Sequence, residues 1–314
     1  MSQEREMPSL NHLNRPTSLE EMIKRRIDTG FQSLWDSSKE HGLNFRPCKT
    51  DVIISPFAKC GTTWLQHIVY GLKTHGNLDF DDVSRVVPWI ETAQALGLNL
   101  QAPQIGAFRA YKSHLSWDDI PKGGRYLVSI RDPKDAVVSL FHFFNNWMFE
   151  ANSVSIADFA RKIYLTDRFQ GGYWRHLISW WEHRQNNNVL LLCYEEMKRD
   201  TPASVRRIAA FLGITLDETL LSLIVKQSSL DFMLKHGDRF NDLLMREMMV
   251  SQGLHPAGGD ASKVRRGRVG DYRYELPTDV IKEMDEVWHT EVAPKLGYPS
   301  YIALQRALAQ EIAP

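Results

Sequence analysis

Cysteine is scarce: Cys48, Cys60 and Cys193 are the only three in 314 residues, and no two form a CxxC pair. That leaves no disulfide framework and no zinc site of the usual spacing, and it favours a reducing compartment. Net charge is missing too, with 38 Lys and Arg against 38 Asp and Glu. Nothing therefore draws the whole chain to nucleic acid or to an anionic membrane, and any anion site must be local. No apolar run approaches the ~20 residues of a membrane span. Residues 1–16, MSQEREMPSLNHLNRP, lack the apolar centre of a signal peptide and read as a flexible tail. A soluble, cytoplasmic protein without membrane insertion is expected. Internal repeats, low-complexity tracts and dividing linkers are also lacking, which leaves a single α/β domain over residues 17–314 with an ample apolar fraction for one core.

The common nucleotide-binding pattern G-x-x-x-x-G-K-[ST] is absent as well. In its place stands Asp51-Val-Ile-Ile-Ser-Pro-Phe-Ala-Lys-Cys-Gly-Thr-Thr-Trp64. The β-branched run from Asp51 to Ser55 predicts a buried strand, and Leu65, Ile68, Val69 and Leu72 recur at helical spacing after the turn at Pro56 and Gly61. A helix start that follows a strand and a tight turn is an anion site, because its first N–H groups have no internal partner and the helix dipole adds positive charge. Lys59 adds a full charge, and Thr62 and Thr63 add hydroxyl donors. The alternative is an ordinary connection carrying a surface lysine.

Further along, Ser18-x-x-Glu21 is a capping box opening a helical pattern that runs from Leu19 to Trp35. Residues 79–104 read as irregular. Ala107–Ser113 reads as a second strand ending at His114, Tyr126–Ile130 as a third ending at Arg131, and Val189–Tyr194 as a fourth followed by Glu195. Pro133 sits at the start of the next helix. Residues 237–275, rich in glycine and methionine, are the least regular part, and a long loop of this kind is expected to be a lid or binding loop. Strands alternating with helices predict a parallel sheet flanked by helices, with ligands beyond the carboxyl ends of the strands. Lys59, His114, Arg131 and Glu195 then face one crevice.

Two anion sites follow from the charges. One is the loop from Lys59 to Trp64. The other combines Arg131, Ser139 and the basic cluster at Arg265, Arg266 and Gly267, since the planar guanidinium fork suits phosphate. The competing reading pairs Arg131 with Asp132 or Asp135 and leaves the basic cluster as a solvated run. His114 shares a strand side with Lys112, and nearby lysines favour the neutral imidazole that a general base requires. Standing alone, it reads first as a satisfied structural histidine, and as a base only in company with the other residues.

Lys59-Cys-Gly-Thr-Thr-Trp64, Lys112-Ser-His114, Arg131-Asp-Pro-Lys-Asp-Ala-Val-Val-Ser139 and Arg265-Arg-Gly-Arg-Val-Gly-Asp-Tyr272 together resemble, in order, the signature blocks of the cytosolic sulfotransferases. The resemblance implies that family's P-loop-like fold and the donor 3'-phosphoadenosine 5'-phosphosulfate (PAPS), with adenosine 3',5'-bisphosphate (PAP) as product and no metal. It implies that Lys59, Thr62 and Thr63, with Cys60 and Gly61, hold the 5'-phosphosulfate and that Trp64 stacks on adenine. Arg131, Ser139, Arg265, Arg266 and Gly267 would take the 3'-phosphate, and Tyr194 and Ser229 would complete the nucleotide pocket. His114 would be the base, with Lys59 and Lys112 stabilising the transferring group. Phe57, Phe143, Trp147 and Phe240 are candidates for contact with a small apolar or aromatic acceptor, sulfated on a hydroxyl or amine.

Cys60 stands where the family usually has serine, Ala58 where it has proline, and Leu230 where a phenylalanine often packs on adenine. The C-terminal dimer segment of many animal members is not visible, which points to a member from outside the animals and leaves the oligomeric state open. Two rival readings remain: a P-loop kinase of small molecules, which would need magnesium ligands and a Walker lysine, and a non-catalytic nucleotide-binding protein.

Overall fold

The computed structural model describes residues 14–254 and 262–311. Most of the expected N-terminal tail lies outside them. Ser18 caps the first helix, α1 (Leu19–Asp28), by accepting from the Glu21 N–H at 3.1 Å, while the Glu21 carboxylate accepts from the Thr17 N–H at 2.8 Å. The apolar pattern expected to give one helix gives two. Gly30, at φ +75°, takes a left-handed conformation that stops α1 and starts α2 (Phe31–Leu43).

The sheet has four parallel strands: β1 (Val52–Ile54), β2 (Ala110–Lys112), β3 (Arg125–Ile130) and β4 (Val189–Cys193), in spatial order β2-β1-β3-β4. All four predicted strands are present, and nearly every residue in them is buried, as expected of strands covered on both faces. Between them run α3 (Thr62–Thr74), the short α4 (Val83–Val86) and α5 (Pro133–Trp147). The Asp132 carboxylate accepts from the Lys134 N–H at 2.9 Å, and Pro133 sits in the first turn, so α5 begins where the sequence places it.

One core layer joins α5 and the helix Tyr173–Glu182 to one face of the sheet. The other packs α3 and the helices Thr201–Leu212 and Glu218–Gln227 on the opposite face. The stretch 237–275 is more regular than its composition suggests. It holds a turn of 3-10 helix at Gly237–Phe240, a helix at Leu243–Ser251 and another at Tyr272–Glu275. Met245 and Met249 are buried one helical turn apart, so the methionines expected in a loop form an apolar helix face instead. Residues 255–261, which fall within the expected lid, lie outside the described residues.

Candidate active site

The carboxyl ends of β1, β2, β3 and β4 open into one cavity of about 810 Å³. Its wall includes Lys59, Gly61, Thr62, Thr63, Trp64, Lys112, His114, Arg131, Ser139, Phe143, Trp147, Tyr194, Ser229, Arg265, Arg266 and Gly267, so most of the predicted site residues converge there.

The loop between β1 and α3 is tightly constrained. Lys59 has φ +66° although it is not glycine, and Gly61 has φ +97°. A Cβ on Gly61 would lie 3.1 Å from Tyr194 Cδ2, so both conformation and space require glycine there. Ser129 Oγ donates to the Cys60 carbonyl at 2.5 Å, and Arg131 Nη1 donates to the Lys59 carbonyl at 2.9 Å, pinning the loop to β3 and its end. The Thr62 hydroxyl at the start of α3 is buried and has no hydrogen-bond partner among the described residues. Arg131 Nε is in the same condition. Orphaned buried donors are costly unless a ligand satisfies them, so these atoms fit an anion at this position.

Arg131 forms no ion pair with Asp132 or Asp135. Its guanidinium lies 4.5 Å from the Tyr194 ring centroid, and Nη2 donates to the Arg268 carbonyl at 3.1 Å. Asp135 instead accepts from the Gly270 and Tyr272 N–H groups at 2.6 and 3.2 Å. The end of β3 and the start of α5 thus fix the basic segment beside the loop of residues 59–61. Among the described residues Arg265 and Arg266 each lie 3.9 Å from Glu275, and Arg265 also lies 4.0 Å from Asp271, all of them long ion pairs. The Ser229 hydroxyl caps the next helix, accepting from the Phe232 N–H at 3.2 Å, while Ser229 still lines the cavity.

His114 Nδ1 is 2.7 Å from the Pro56 carbonyl oxygen. A carbonyl can only accept, so Nδ1 carries the proton and Nε2 keeps its lone pair. Burial, and then the neighbouring Lys112, hold the imidazole pKa well below its usual value, which keeps it neutral. The His114 N–H donates to Glu91 Oε1 at 2.8 Å, and burial raises the Glu91 pKa.

Burial, followed by repulsion from Lys263, Arg131 and Lys112, lowers the Lys59 pKa to about 7. Burial and then Lys263 lower that of Lys112 to about 7 as well. Lys112 Nζ lies over the Trp89 ring at 3.9 Å, and Lys59 Nζ over the Phe143 ring at 4.6 Å. Lys263 is paired with Asp242, and Lys59 Nζ donates to the Lys263 carbonyl at 3.3 Å. Sequence reasoning missed Glu91, Asp242 and the pairing of Lys263, and read Trp89 only as a residue that covers a pocket or packs. Trp89 and Glu91 sit in an irregular segment, and the Asp242–Lys263 pair joins two stretches that no local pattern connects.

Three predicted residues are not where the sequence reading puts them. Phe57 is 2% exposed and packs edge-on against Tyr164, Phe169, Tyr173 and His176 at 5.4–6.0 Å, deep in the core. Phe240 is fully buried against His67 and Phe80, away from the cavity wall. The Cys60 thiol is also fully buried, with burial pushing its pKa up to about 12, so only its backbone serves the loop. Phe57 and Cys60 belong to the core under the turn, and Phe240 to a separate small cluster with Val83 and Met233, so none of the three side chains reaches the cavity wall.

The family described as a sulfotransferase domain matches residues 49–296. Luciferin sulfotransferase from Photinus pyralis is 28% identical over 270 residues, covering 76% of this chain and 70% of that protein. Sulfotransferase 2A1 from Rattus norvegicus is 28% identical over 257 residues, covering 79% and 86%. Among solved structures, mouse sulfotransferase SULT7A1 complexed with PAP shares the fold at a TM-score of 0.63 and 21% identity, covering 90% of this chain and 96% of that one. Retinol dehydratase in a complex with retinol and PAP does so at 0.65 and 21%, covering 81% and 84%.

Proposed function

The chain belongs to the sulfotransferase family, and from that premise we propose that it transfers a sulfuryl group from PAPS to a hydroxyl or amine of a small acceptor, with His114 as general base. One observation carries the assignment of the base. The Pro56 carbonyl fixes the His114 tautomer, leaving the Nε2 lone pair for an acceptor proton in a cavity that also holds Lys59 and Lys112.

PAPS supplies a sulfuryl group already bonded to a good leaving group, a phosphate. The orphaned Thr62 hydroxyl, Thr63 and the Lys59 ammonium suit its 5'-phosphosulfate end, and Gly61 lets the backbone approach closely. Arg131, Ser139, Arg265, Arg266 and Gly267 suit the 3'-phosphate, and Trp64, Tyr194 and Ser229 frame the nucleoside between the two. His114 Nε2 takes the acceptor proton as the acceptor oxygen bonds to sulfur. The electron pair of the broken S–O bond stays on the phosphate, where Lys59 and Lys112 face the growing charge. Lysines near neutrality in the donor-free protein become fully charged beside an anion, so the site answers negative charge where it develops. Phe143 and Trp147 supply apolar contact on the acceptor side.

Isothermal titration with PAP in the absence of magnesium, alongside ATP with magnesium, tests the donor assignment. Tight PAP binding and weak ATP binding are expected. The reverse order favours a kinase, and binding of neither removes the nucleotide reading.

A further inference from the structure

Beyond His114 the cavity continues along a row of rings that the nucleotide does not explain. The Trp89 ring meets the His114 imidazole edge-on at 5.1 Å, and the Trp35 ring meets Trp89 edge-on at 5.4 Å. The Arg26 guanidinium lies 5.6 Å from the Trp35 ring centroid and 4.9 Å from that of Phe31. Arg26, Phe31 and Trp35 belong to α1 and α2, which precede the family-matched segment.

Arg26 is half-buried on the cavity wall. Its Nε donates to Gln32 Oε1 at 3.1 Å, and Gln32 Nε2 donates in turn to Asp36 at 2.9 Å. Asp36 thus meets the guanidinium through an amide and by charge attraction at a distance, and none of the four Nη hydrogens has a hydrogen-bond partner among the described residues. A guanidinium braced by two aromatic faces, with its fork open, is built to take a planar anion in two parallel hydrogen bonds.

We propose that the physiological acceptor is an anionic amphiphile: a hydroxy carboxylic acid whose hydroxyl meets His114 Nε2, whose apolar body lies along Trp89 and Trp35, and whose carboxylate docks on the Nη groups of Arg26. The proposal rests on the sulfotransferase reading and adds the acceptor class to it. Two indoles separate the base from the guanidinium, so hydroxyl and carboxylate stand at opposite ends of the acceptor.

The test uses the full-length protein, PAPS, and ω-hydroxy carboxylic acids of graded chain length, each beside its primary amide, with a simple neutral phenol as reference acceptor. An acid should exceed its amide in kcat/KM by ~10- to 100-fold, mostly through KM, with an optimum at the longer chains. Arg26→Met should bring the acid-to-amide ratio close to one, and Arg26→Lys should restore part of it. Because Arg26 also packs on Phe31 and Trp35, each variant is checked by thermal melting and by its PAP affinity. Equal turnover of acid and amide by the wild type, or an unchanged ratio in a folded Arg26→Met variant, overturns the proposal. Transfer to the phenol without transfer to any acid overturns it while sparing the sulfotransferase reading. Absence of both transfer and PAP binding overturns the two together.

Discussion

Asp242 and Lys263 form an ion pair with side chains only 7% and 9% exposed, at the edge of the cavity beside Lys112. Ser84 Oγ donates to Asp242 at 2.8 Å, and Asp242 itself has φ +48°, a conformation that non-glycine residues rarely adopt. The pair fastens the basic segment to the helix Leu243–Ser251 and keeps a third lysine near Lys59 and Lys112.

Removing one partner leaves the other charged and buried. Asp242→Asn should therefore destabilise the protein by about 3–5 kcal/mol, read from urea denaturation. The double variant Asp242→Asn/Lys263→Met should recover part of that loss. Burial acts to raise the Asp242 pKa, but Lys263 and Lys112 outweigh it and hold the carboxylate below its usual range. Its stabilisation is accordingly complete above about pH 4 and is lost as the pH falls through the folded-state value.

Lys59 and Lys112 titrate near 7 in the donor-free protein, well below the ordinary lysine value of 10.5. Between about pH 7 and 10 the unfolded chain binds more protons at these positions than the folded one, so stability should rise with pH across that window. Bound PAP favours the charged ammonium groups and should remove the trend. PAP binding near pH 7.5 should take up protons, seen as a calorimetric enthalpy that varies with buffer ionisation heat, and affinity should weaken as the pH rises above 7.

His114→Ala should lower turnover by ~10²- to 10⁴-fold while leaving PAP affinity nearly intact. Since burial and Lys112 keep the imidazole neutral far below pH 6.5, the acid limb of the kcat/KM profile should fall well below that pH. An acid limb near 6.5 would mean that another group titrates.

The two phenylalanines flanking the loop should behave oppositely. Phe57→Ala removes a ring from the core and should cost about 3–5 kcal/mol of stability, with a matching loss of melting temperature. Phe143→Ala, at a half-buried cavity wall under Lys59, should leave the melting temperature close to that of the wild type and raise the acceptor KM.

Most of the donor side was legible in the sequence because it is local. Lys59, Gly61, Thr62 and Thr63 occupy one turn, and the rule that ligands gather at strand ends placed His114 and Arg131 beside them. The same rule put Glu195 in the crevice, but its carboxylate accepts instead from the Asp132 N–H and the Tyr301 hydroxyl, away from the cavity wall. Three of the four strands were marked by dense β-branched or apolar runs, while the second, in AFRAYKS, mixes apolar and basic residues. The acceptor side was not legible in the same way. Phe57 and Phe143 look alike in a sequence, and only the packing of Tyr164, Phe169 and Tyr173 around Phe57 shows that it faces inward. Trp35 and Trp89 meet only in the folded chain. Whether Arg131 pairs with Asp132 or Asp135 or stays open to an anion was likewise a matter of three-dimensional reach. Asp135 turned out to serve the Gly270 and Tyr272 amides, over a hundred residues away.

The glycine break at Gly30 folds α1 back beside α2, and with it the cavity acquires two separately encoded halves. On the proposed acceptor reading, residues 19–43 would supply the far end of the acceptor site, whereas the strand ends and the Asp135-tethered segment would hold the activated group. If that reading holds, substitutions in the N-terminal pair should retune acceptor choice while the donor-binding apparatus stays as it is, and a graft of that pair onto another member of the family should carry the preference with it.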